Sequence, residues 1–353
     1  MTCPRRDYIM TNRIVQRSPQ VASTIKDVAK STGLSIATIS KYLNGGNLLE
    51  PNRIAIEAAI RKLGYRVNEA ARGLKTNMTM TIGVIAPSFN SLYFMMIVSW
   101  IEKTLTSYGY ASIILDSRLD KANEMANAGF LVNKKVDGII ALPLSSNGAA
   151  FRFIAKEGVP LILMDKPVRG LSCDLVKVEN RKGMYEAVSA LIGLGHKAIG
   201  LVSMPKDTYT AIERMKGFRQ AHEEAGLPVD DRLIEYEDVS MMGGRLAMSR
   251  LLDSKSKMTA VIVNNDELSF GALQVIRERG FSIPGDISFL GFDIYGIAEA
   301  FNPALSVVDQ PIDALGKHAA ELIVKRVTSG NKAEYETISL EMSLCLRGSV
   351  RKL

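Results

Sequence analysis

Two sets of residues in this sequence have types and spacing that could do chemistry. The first is compact. Ile36, Ala37 and Lys41 would share one face of a helix, putting a cation beside two apolar side chains. That face suits the edges of DNA base pairs, because an ammonium can donate to guanine O6 and N7 and apolar groups can meet thymine methyls. Thr38, Ser40, Asn44 and Tyr65 are suited to phosphate or orienting contacts, which position a protein on DNA without specifying sequence, as are Thr24 and Ser35 at helix starts. The second set is dispersed. Ser88, Asp116, Asp165, Ser203, Asn265, Asp266 and Asp293 each follow a short apolar run. Their carboxylates, amide and hydroxyls suit a polyhydroxylated or otherwise hydrogen-bonding ligand, although Asp266 reads equally as a helix cap or a core polar group.

Other chemistries find no support. Cys3, Cys173 and Cys345 are odd in number and far apart, with neither disulfide nor zinc spacing. His196, His222 and His318 have no metal-ligand spacing and no nucleophile motif around them. Gly193-Leu-Gly195 follows a helical segment and precedes an apolar run. A dinucleotide-binding loop needs the opposite order, so that a helix N-terminus holds the pyrophosphate. No catalytic residue, metal or cofactor is expected.

The base-facing set needs a rigid mount, and residues 24–63 supply one. Thr24-Ile-Lys-Asp27 has capping-box form, opening a helix that Gly33 ends. A second short helix opens at Ser35 and runs from Ile36 to Leu43, burying Ile39, Tyr42 and Leu43. Ala29, Gly33 and Ile39 are the small contact, the turn and the apolar anchor that two short helices meeting at a sharp angle require. A third helix from about Pro51 to Leu63 brings Ile56, Ile60 and Leu63 to close a small core. The second helix of such a helix-turn-helix enters the major groove.

The dispersed set needs a different scaffold. After Thr81, apolar runs alternate with helical stretches. The runs are Ile82–Ala86, Ser112–Leu115, Gly138–Leu142, Leu161–Met164, Ile199–Val202, Ala260–Val263 and Ser288–Gly291. Unbroken Val/Ile/Leu runs between helices predict parallel strands buried on both faces, hence doubly wound sheets in two similar lobes. In such sheets ligands bind beyond the carboxyl ends of strands, where the dispersed set lies.

Charge separates the same two parts. Residues 1–78 hold 13 Lys/Arg against 5 Asp/Glu, and the remainder holds 31 against 32. A basic module joined to a near-neutral body is the signature of a polyanion partner. The opening residues carry Arg5, Arg6, Arg13 and Arg17 without the apolar stretch of a secretory signal. They read as a basic, disordered arm, or as an over-long start with Met10 as initiator. No apolar run reaches membrane-spanning length.

The run Thr24-Ile-Lys-Asp-Val-Ala-Lys-Ser-Thr-Gly-Leu-Ser-Ile-Ala-Thr-Ile-Ser-Lys-Tyr-Leu-Asn44 resembles the headpiece of the lac-repressor (LacI/GalR) family, as does Leu63-Gly-Tyr-Arg-Val-Asn-Glu-Ala-Ala-Arg-Gly-Leu74. Further resemblances are Ile82-Gly-Val-Ile-Ala-Pro87, Val136-Asp-Gly-Ile139, Met164-Asp-Lys-Pro167, Gly193-Leu-Gly-His196, Arg214-Met-Lys-Gly-Phe218, Asn265-Asp266 with Gly271-Ala272, and Gly291-Phe-Asp293. The resemblance implies an effector domain related to periplasmic sugar-binding proteins. Tyr93 and Phe94 would stack on an effector, while Asp165, Arg214, Asp293 and Asn265 hydrogen-bond it. It also implies a hinge helix capped by Asn68, with Leu74 wedged into a minor-groove base step and Lys75 beside it.

The organisation expected is an extension (1–22), a helix-turn-helix domain (23–67), a hinge (68–78) and an α/β effector domain (79–353). Its lobe one would take about 79–177 and 308–334, and lobe two about 178–307 and 335–349. The implied protein is a cytoplasmic, nucleoid-associated bacterial repressor, a homodimer or a tetramer. It would bind double-stranded operator DNA under control of a sugar-like or purine-like effector. The alternatives are a catabolite-control regulator answering to a protein co-effector, and a solute-binding protein without a DNA role. Five positions depart from the family pattern: Lys41 replaces an arginine and Leu49 a capping serine. Near the pocket, Ser91-Leu92 replaces Asn-Pro, and Ile294 follows Asp293 in place of aspartate.

Overall fold

The computed structural model describes residues 23–43, 45–65, 78–254, 257–329 and 334–353. The chain forms two compact units, 1–77 and 78–353, dividing at the end of the segment expected to be a hinge.

The first unit contains helices α1 (Ile25–Thr32), α2 (Ile36–Leu43) and α3 (Glu50–Leu63). Each begins and ends for a local reason. The Asp27 carboxylate accepts from both the backbone N–H and the hydroxyl of Thr24, each at 2.8 Å, closing the first turn of α1. Gly33, at φ +69°, ends it by donating to the Ala29 carbonyl. The Ser35 hydroxyl accepts from Thr38 N–H (3.1 Å) and starts α2. Leu49 gives α3 no side-chain cap, but Pro51 lacks the N–H that would need one and Glu50 complements the positive helix end. Val28, Ile39, Ile56 and Ala59 are buried between the three helices. Ile60 and Leu63, expected on the same stripe as Ile56, pack partly buried around them.

The second unit has two six-stranded sheets. Strands β1 (Thr81–Ala86), β2 (Ala111–Asp116), β3 (Gly138–Ala141), β4 (Leu161–Met164), β5 (Asp174–Val178) and β11 (Thr337–Leu340) form the first, in order β11-β5-β4-β3-β1-β2, all parallel. Strands β6 (Ile199–Ser203), β7 (Ile234–Tyr236), β8 (Ala260–Val263), β9 (Ser288–Phe292), β10 (Ser306–Asp309) and β12 (Ser343–Cys345) form the second, in order β12-β10-β9-β8-β6-β7. There only β12 is antiparallel. Helices α4 (Leu92–Ser107), α5 (Lys121–Asn133), α6 (Ala149–Lys156) and α11 (Ile312–Thr328) accompany the first sheet, and α7 (Asn180–Gly193), α8 (Tyr209–Glu224), α9 (Met241–Asp253) and α10 (Asp266–Glu278) the second. Within β1, Ile82, Val84 and Ala86 join one core cluster and Ile85 another, as a strand covered on both faces requires.

All seven strands expected from apolar runs are present. The five that escaped the pattern are edge strands or carry polar residues, such as Asp174, Lys177, Glu235, Ser306 and Asp309. One of them corrects the lobe boundary. The sequence reading places about 335–349 in lobe two, yet β11 pairs with β5 in lobe one. Buried Asp174 explains why: it accepts from Arg326 Nε and Nη2 (2.8 and 2.6 Å) and from the Glu336 N–H (2.8 Å) just before β11. The chain therefore crosses between lobes after β5, after β10, and between Leu340 and Ser343.

The C-terminal tail is fastened to lobe two by a buried histidine. His196 Nδ1 lies 2.9 Å from Thr259 Oγ1, and Nε2 lies 3.0 Å from the Arg351 carbonyl. Burial holds its pKa below 6.5, and the same holds for His222. Above pH 6.5 both states are neutral and the full stability is present; as pH falls, the unfolded chain is protonated first and stability is lost. Thermal unfolding at pH 5.5 should thus occur at lower temperature than at pH 7.5, with a smaller difference in His196→Gln. An equal difference would remove His196 as a cause.

Candidate functional site

On the first unit, Ser35, Ile36, Ala37 and Lys41 are exposed along α2, while Thr38 and Ser40 are half-buried beside them. The residues expected to meet bases are therefore all open to solvent, while Ile39 is buried and anchors the helix. The end of α2 positions Lys41. Gly46 N–H donates to the Lys41 carbonyl (2.8 Å) and Gly45 N–H to that of Tyr42 (3.0 Å), with Gly45 at φ +73°. A Cβ on Gly46 would lie 2.6 Å from Lys41 Cγ, so a bare glycine leaves room for the lysine stem. Neither glycine was singled out from sequence. Thr24 is exposed and Tyr65 half-buried. Tyr42 Oη donates to Glu57 (3.2 Å), bracing α2 against α3. Asn44, Asn68, Leu74 and Lys75 lie outside the described residues.

On the second unit, the carboxyl ends of strands from both lobes meet. Asp165 and Asp293 occupy equivalent places: each directly follows a central strand, has positive φ (+68° and +63°), and donates its N–H to the next strand, at Val176 and Val308. Aspartate tolerates this left-handed conformation better than most side chains do. Lys166 lies 3.1 Å from the Asp165 carboxylate.

Arg214, on α8, has only 1 % of its surface exposed. Its Nε donates to Asn180 Oδ1 (2.9 Å) and its Nη1 to the Asn264 carbonyl (2.5 Å), while Nη2 lies 3.6 Å from Asp293 Oδ2. The guanidinium stacks 4.0 Å from the centre of Phe292. Asp293 Oδ1 also accepts from Tyr295 Oη (2.8 Å) and Gln310 Nε2 (2.9 Å). Burial raises the Asp293 pKa, against the opposing pull of Arg214 and these donors. Tyr93 Oη donates to Gln310 Oε1 (2.9 Å), and its ring stacks with Tyr295, centres 6.4 Å apart. Burial and the charges of Asp165 and Asp293 raise the Tyr93 pKa, so its hydroxyl keeps its proton.

Tyr93, Asp165, Arg214 and Asp293 are thus brought together, and Phe94 packs against Tyr93 at 5.2 Å between ring centres. Ser88 is buried and accepts from Asn90 N–H (3.1 Å). Asn265 caps α10, accepting from Leu268 N–H (3.2 Å), and donates to Asp266 (2.7 Å). Gln310, Tyr295 and Asn180 escaped the sequence reading. None directly follows one of the seven apolar runs, and two of them sit at crossings between lobes. Beside the cluster, a cavity of about 400 Å³ is lined by Asn90 and Leu92 from lobe one and by Asp266, Asp293 and Tyr295 from lobe two. Among the described residues, no group of three His, Cys, Asp or Glu could hold a metal, and no helix is long and apolar enough to cross a membrane.

Residues 24–68 match the family model for bacterial regulatory proteins of the lacI family, and residues 79–344 match that for periplasmic binding proteins and the sugar-binding domain of the LacI family. The chain is 33% identical over 331 residues to the HTH-type transcriptional repressor PurR of Proteus mirabilis, covering 93% of this chain and 97% of that one. Among solved structures, a complex of the transcriptional regulator CelR with cellobiose is 28% identical, with TM-score 0.72 over 93% of this chain and 99% of that one. The lac repressor dimer bound to operator and the anti-inducer ONPF shares the fold, with TM-score 0.82 at 23% identity over 94% and 99% of the two chains.

Proposed function

Because this chain belongs to the lacI family of bacterial regulatory proteins, we propose that it is a homodimeric repressor that reads its operator through Ile36, Ala37 and Lys41 and is switched by a small metabolite between the lobes. The observation that carries the DNA-reading part is the exposed face of α2, where a lysine and two apolar side chains project from a helix anchored by Ile39. A helix-turn-helix reads a few base pairs per copy, so two copies related by a two-fold axis would read a palindrome. An apolar groove of about 650 Å³ on lobe two, lined by Met241, Phe270, Leu273, Phe281 and Phe301, supports pairing with a second copy.

The strand-end cluster supports a hydrogen-bonding effector, and the cellobiose complex of CelR supports a carbohydrate. To act as a switch, that ligand must bind the DNA-competent and incompetent states with different affinity. The expected place of action is the bacterial cytoplasm.

Selection from random duplexes should return an inverted repeat. Lys41→Ala should weaken binding to that repeat by about tenfold or more, the scale of one base contact. Binding to unrelated DNA should weaken much less. Equal losses on the two DNAs, measured by fluorescence anisotropy at fixed salt, would remove Lys41 from base reading.

A further inference from the structure

Two of the three crossings between lobes carry a buried amide into the Arg214–Asp293 pair, one on each partner. Asn180, the first residue of α7, lies directly after the β5 crossing and accepts from Arg214 Nε. Gln310, directly after β10, donates to Asp293 Oδ1. Between these amides, guanidinium and carboxylate stand 3.6 Å apart, beyond the 2.7–2.9 Å usual for a charge-assisted hydrogen bond.

Gln310 has partners for both side-chain functions, Asp293 for its nitrogen and Tyr93 for its oxygen. Asn180 does not. It is 3 % exposed, and its Nδ2 has no partner. Turning the amide over would not help, because Arg Nε can only donate and so holds the Asn180 oxygen where it is. Nor can the side chain move aside with its helix. A Cβ on Gly217, one turn beyond Arg214, would lie 2.1 Å from the Arg181 carbonyl, so α8 lies directly against the first turn of α7. Nearby, Asn264 donates from Nδ2 to Ser203 Oγ (2.9 Å) and leaves its own Oδ1 without a partner. Buried polar atoms are almost always hydrogen-bonded, and these two orphans flank Arg214, whose guanidinium faces Asp293 in the wall of the cavity.

Charge narrows the class of that ligand. Around the strand ends, the carboxylates of Asp165, Asp266, Asp293 and Asp309 stand against the cations of Arg214, Lys166 and Arg347, and each cation already faces a carboxylate, Arg347 that of Glu299. A phosphate or carboxylate ligand would add negative charge where, among these described residues, every cation is already paired. A neutral hydroxyl can accept from one group and donate to another.

We infer that Asn180 is an effector-contacting residue, its Nδ2 donating to a hydroxyl oxygen of a neutral, unphosphorylated carbohydrate that also donates to a nearby acceptor such as Asn264 Oδ1 or Asp293 Oδ2. The inference rests on the proposed reading of the cleft as the effector site. It also ties ligand binding to the β5 crossing, since Asn180 belongs to both, and so gives the effector a direct hold on the angle between lobes.

The test is calorimetric titration of the full chain with glucose, ribose and cellobiose, and with glucose 6-phosphate, in the wild type and in Asn180→Asp. Aspartate keeps an acceptor for Arg214 Nε and nearly the same volume, but removes the donor. At least one neutral sugar should bind the wild type, and glucose 6-phosphate should bind no tighter than glucose. Asn180→Asp should weaken the bound sugar about 10- to 100-fold, as expected when a buried polar contact is lost. Operator affinity without sugar should stay unchanged. A sugar bound equally by both proteins would overturn the role of Asn180 and leave the cleft reading standing. Preference for the phosphate ester would overturn the neutral class. Binding of none of the four would overturn both the inference and the cleft reading. If Asn180→Asp is unstable by thermal unfolding, a crystal structure of the wild-type sugar complex decides: a sugar hydroxyl within hydrogen-bond distance of Nδ2 supports the contact, and a water alone there refutes it.

Discussion

Ile56→Ala is expected to abolish operator binding by the full chain while leaving the unfolding of residues 78–353 unchanged. Ile56 is fully buried, and with Val28, Ile39 and Ala59 it makes up the buried core of the first unit among the described residues. Removing it takes away a large part of the apolar packing that holds α3 against α1 and α2. Truncating a buried isoleucine to alanine costs about 2–5 kcal/mol. A domain this small buries a low fraction of its chain surface and has only a few kcal/mol in reserve. The loss should therefore unfold the first unit and take the α2 face with it. Two-transition calorimetry and anisotropy on operator DNA read the two effects separately. A headpiece that still melts at the wild-type temperature would mean that α3 is held by something other than this core.

The second large effect is expected of Asp293→Ala. This carboxylate accepts from Tyr295 and Gln310 and faces Arg214, whose guanidinium is almost wholly buried. Its removal leaves a buried cation without a counter-charge and two donors without an acceptor. Breaking a buried ion pair by deleting one partner costs about 3–5 kcal/mol, whereas replacing both partners by apolar residues is often nearly neutral. Asp293→Ala should thus lower the unfolding temperature of the second unit markedly, and adding Arg214→Met should recover much of the loss. Neither variant should respond to an effector in an operator-binding assay, because recovered stability does not restore the polar contacts. A double variant that regained stability and response together would assign Asp293 and Arg214 to structure alone.

The contrast between these variants matches what was legible in the residues. The headpiece could be read because its determinants are local. Thr24 and Asp27 are three residues apart, Ser35 and Thr38 likewise, and Gly33 ends its helix by its own backbone conformation. The alternating apolar runs made the two parallel sheets legible for a similar reason, since a strand buried on both faces shows itself within four or five residues. β11 did not, because Thr337, Ile338, Ser339 and Leu340 alternate between exposed and half-buried positions, and its place depends on a contact made 162 residues away at Asp174.

In the cleft, the strand-end rule found Asp165 and Asp293 because a carboxyl-terminal strand position is a matter of sequence order. It could not find their partners. Tyr93 meets Gln310 across 217 residues, and Arg214 meets Asn180 across 34 and Asn264 across 50. Tyr295 stands two residues after Asp293, but only the fold turns its hydroxyl back onto that carboxylate.

By itself, then, the sequence determined the class of protein: a basic helix-turn-helix with Ile36, Ala37 and Lys41 on its open face, joined to two doubly wound lobes with acids at their strand ends. These are properties of short-range spacing, capping and charge. The tertiary structure alone decided which polar groups share the cleft, which of them are already satisfied by the chain, and that Asn180 is left with a donor to offer. Those outcomes depend on hydrogen bonds between residues far apart in sequence, and on how closely α7 and α8 can approach, which no local pattern records.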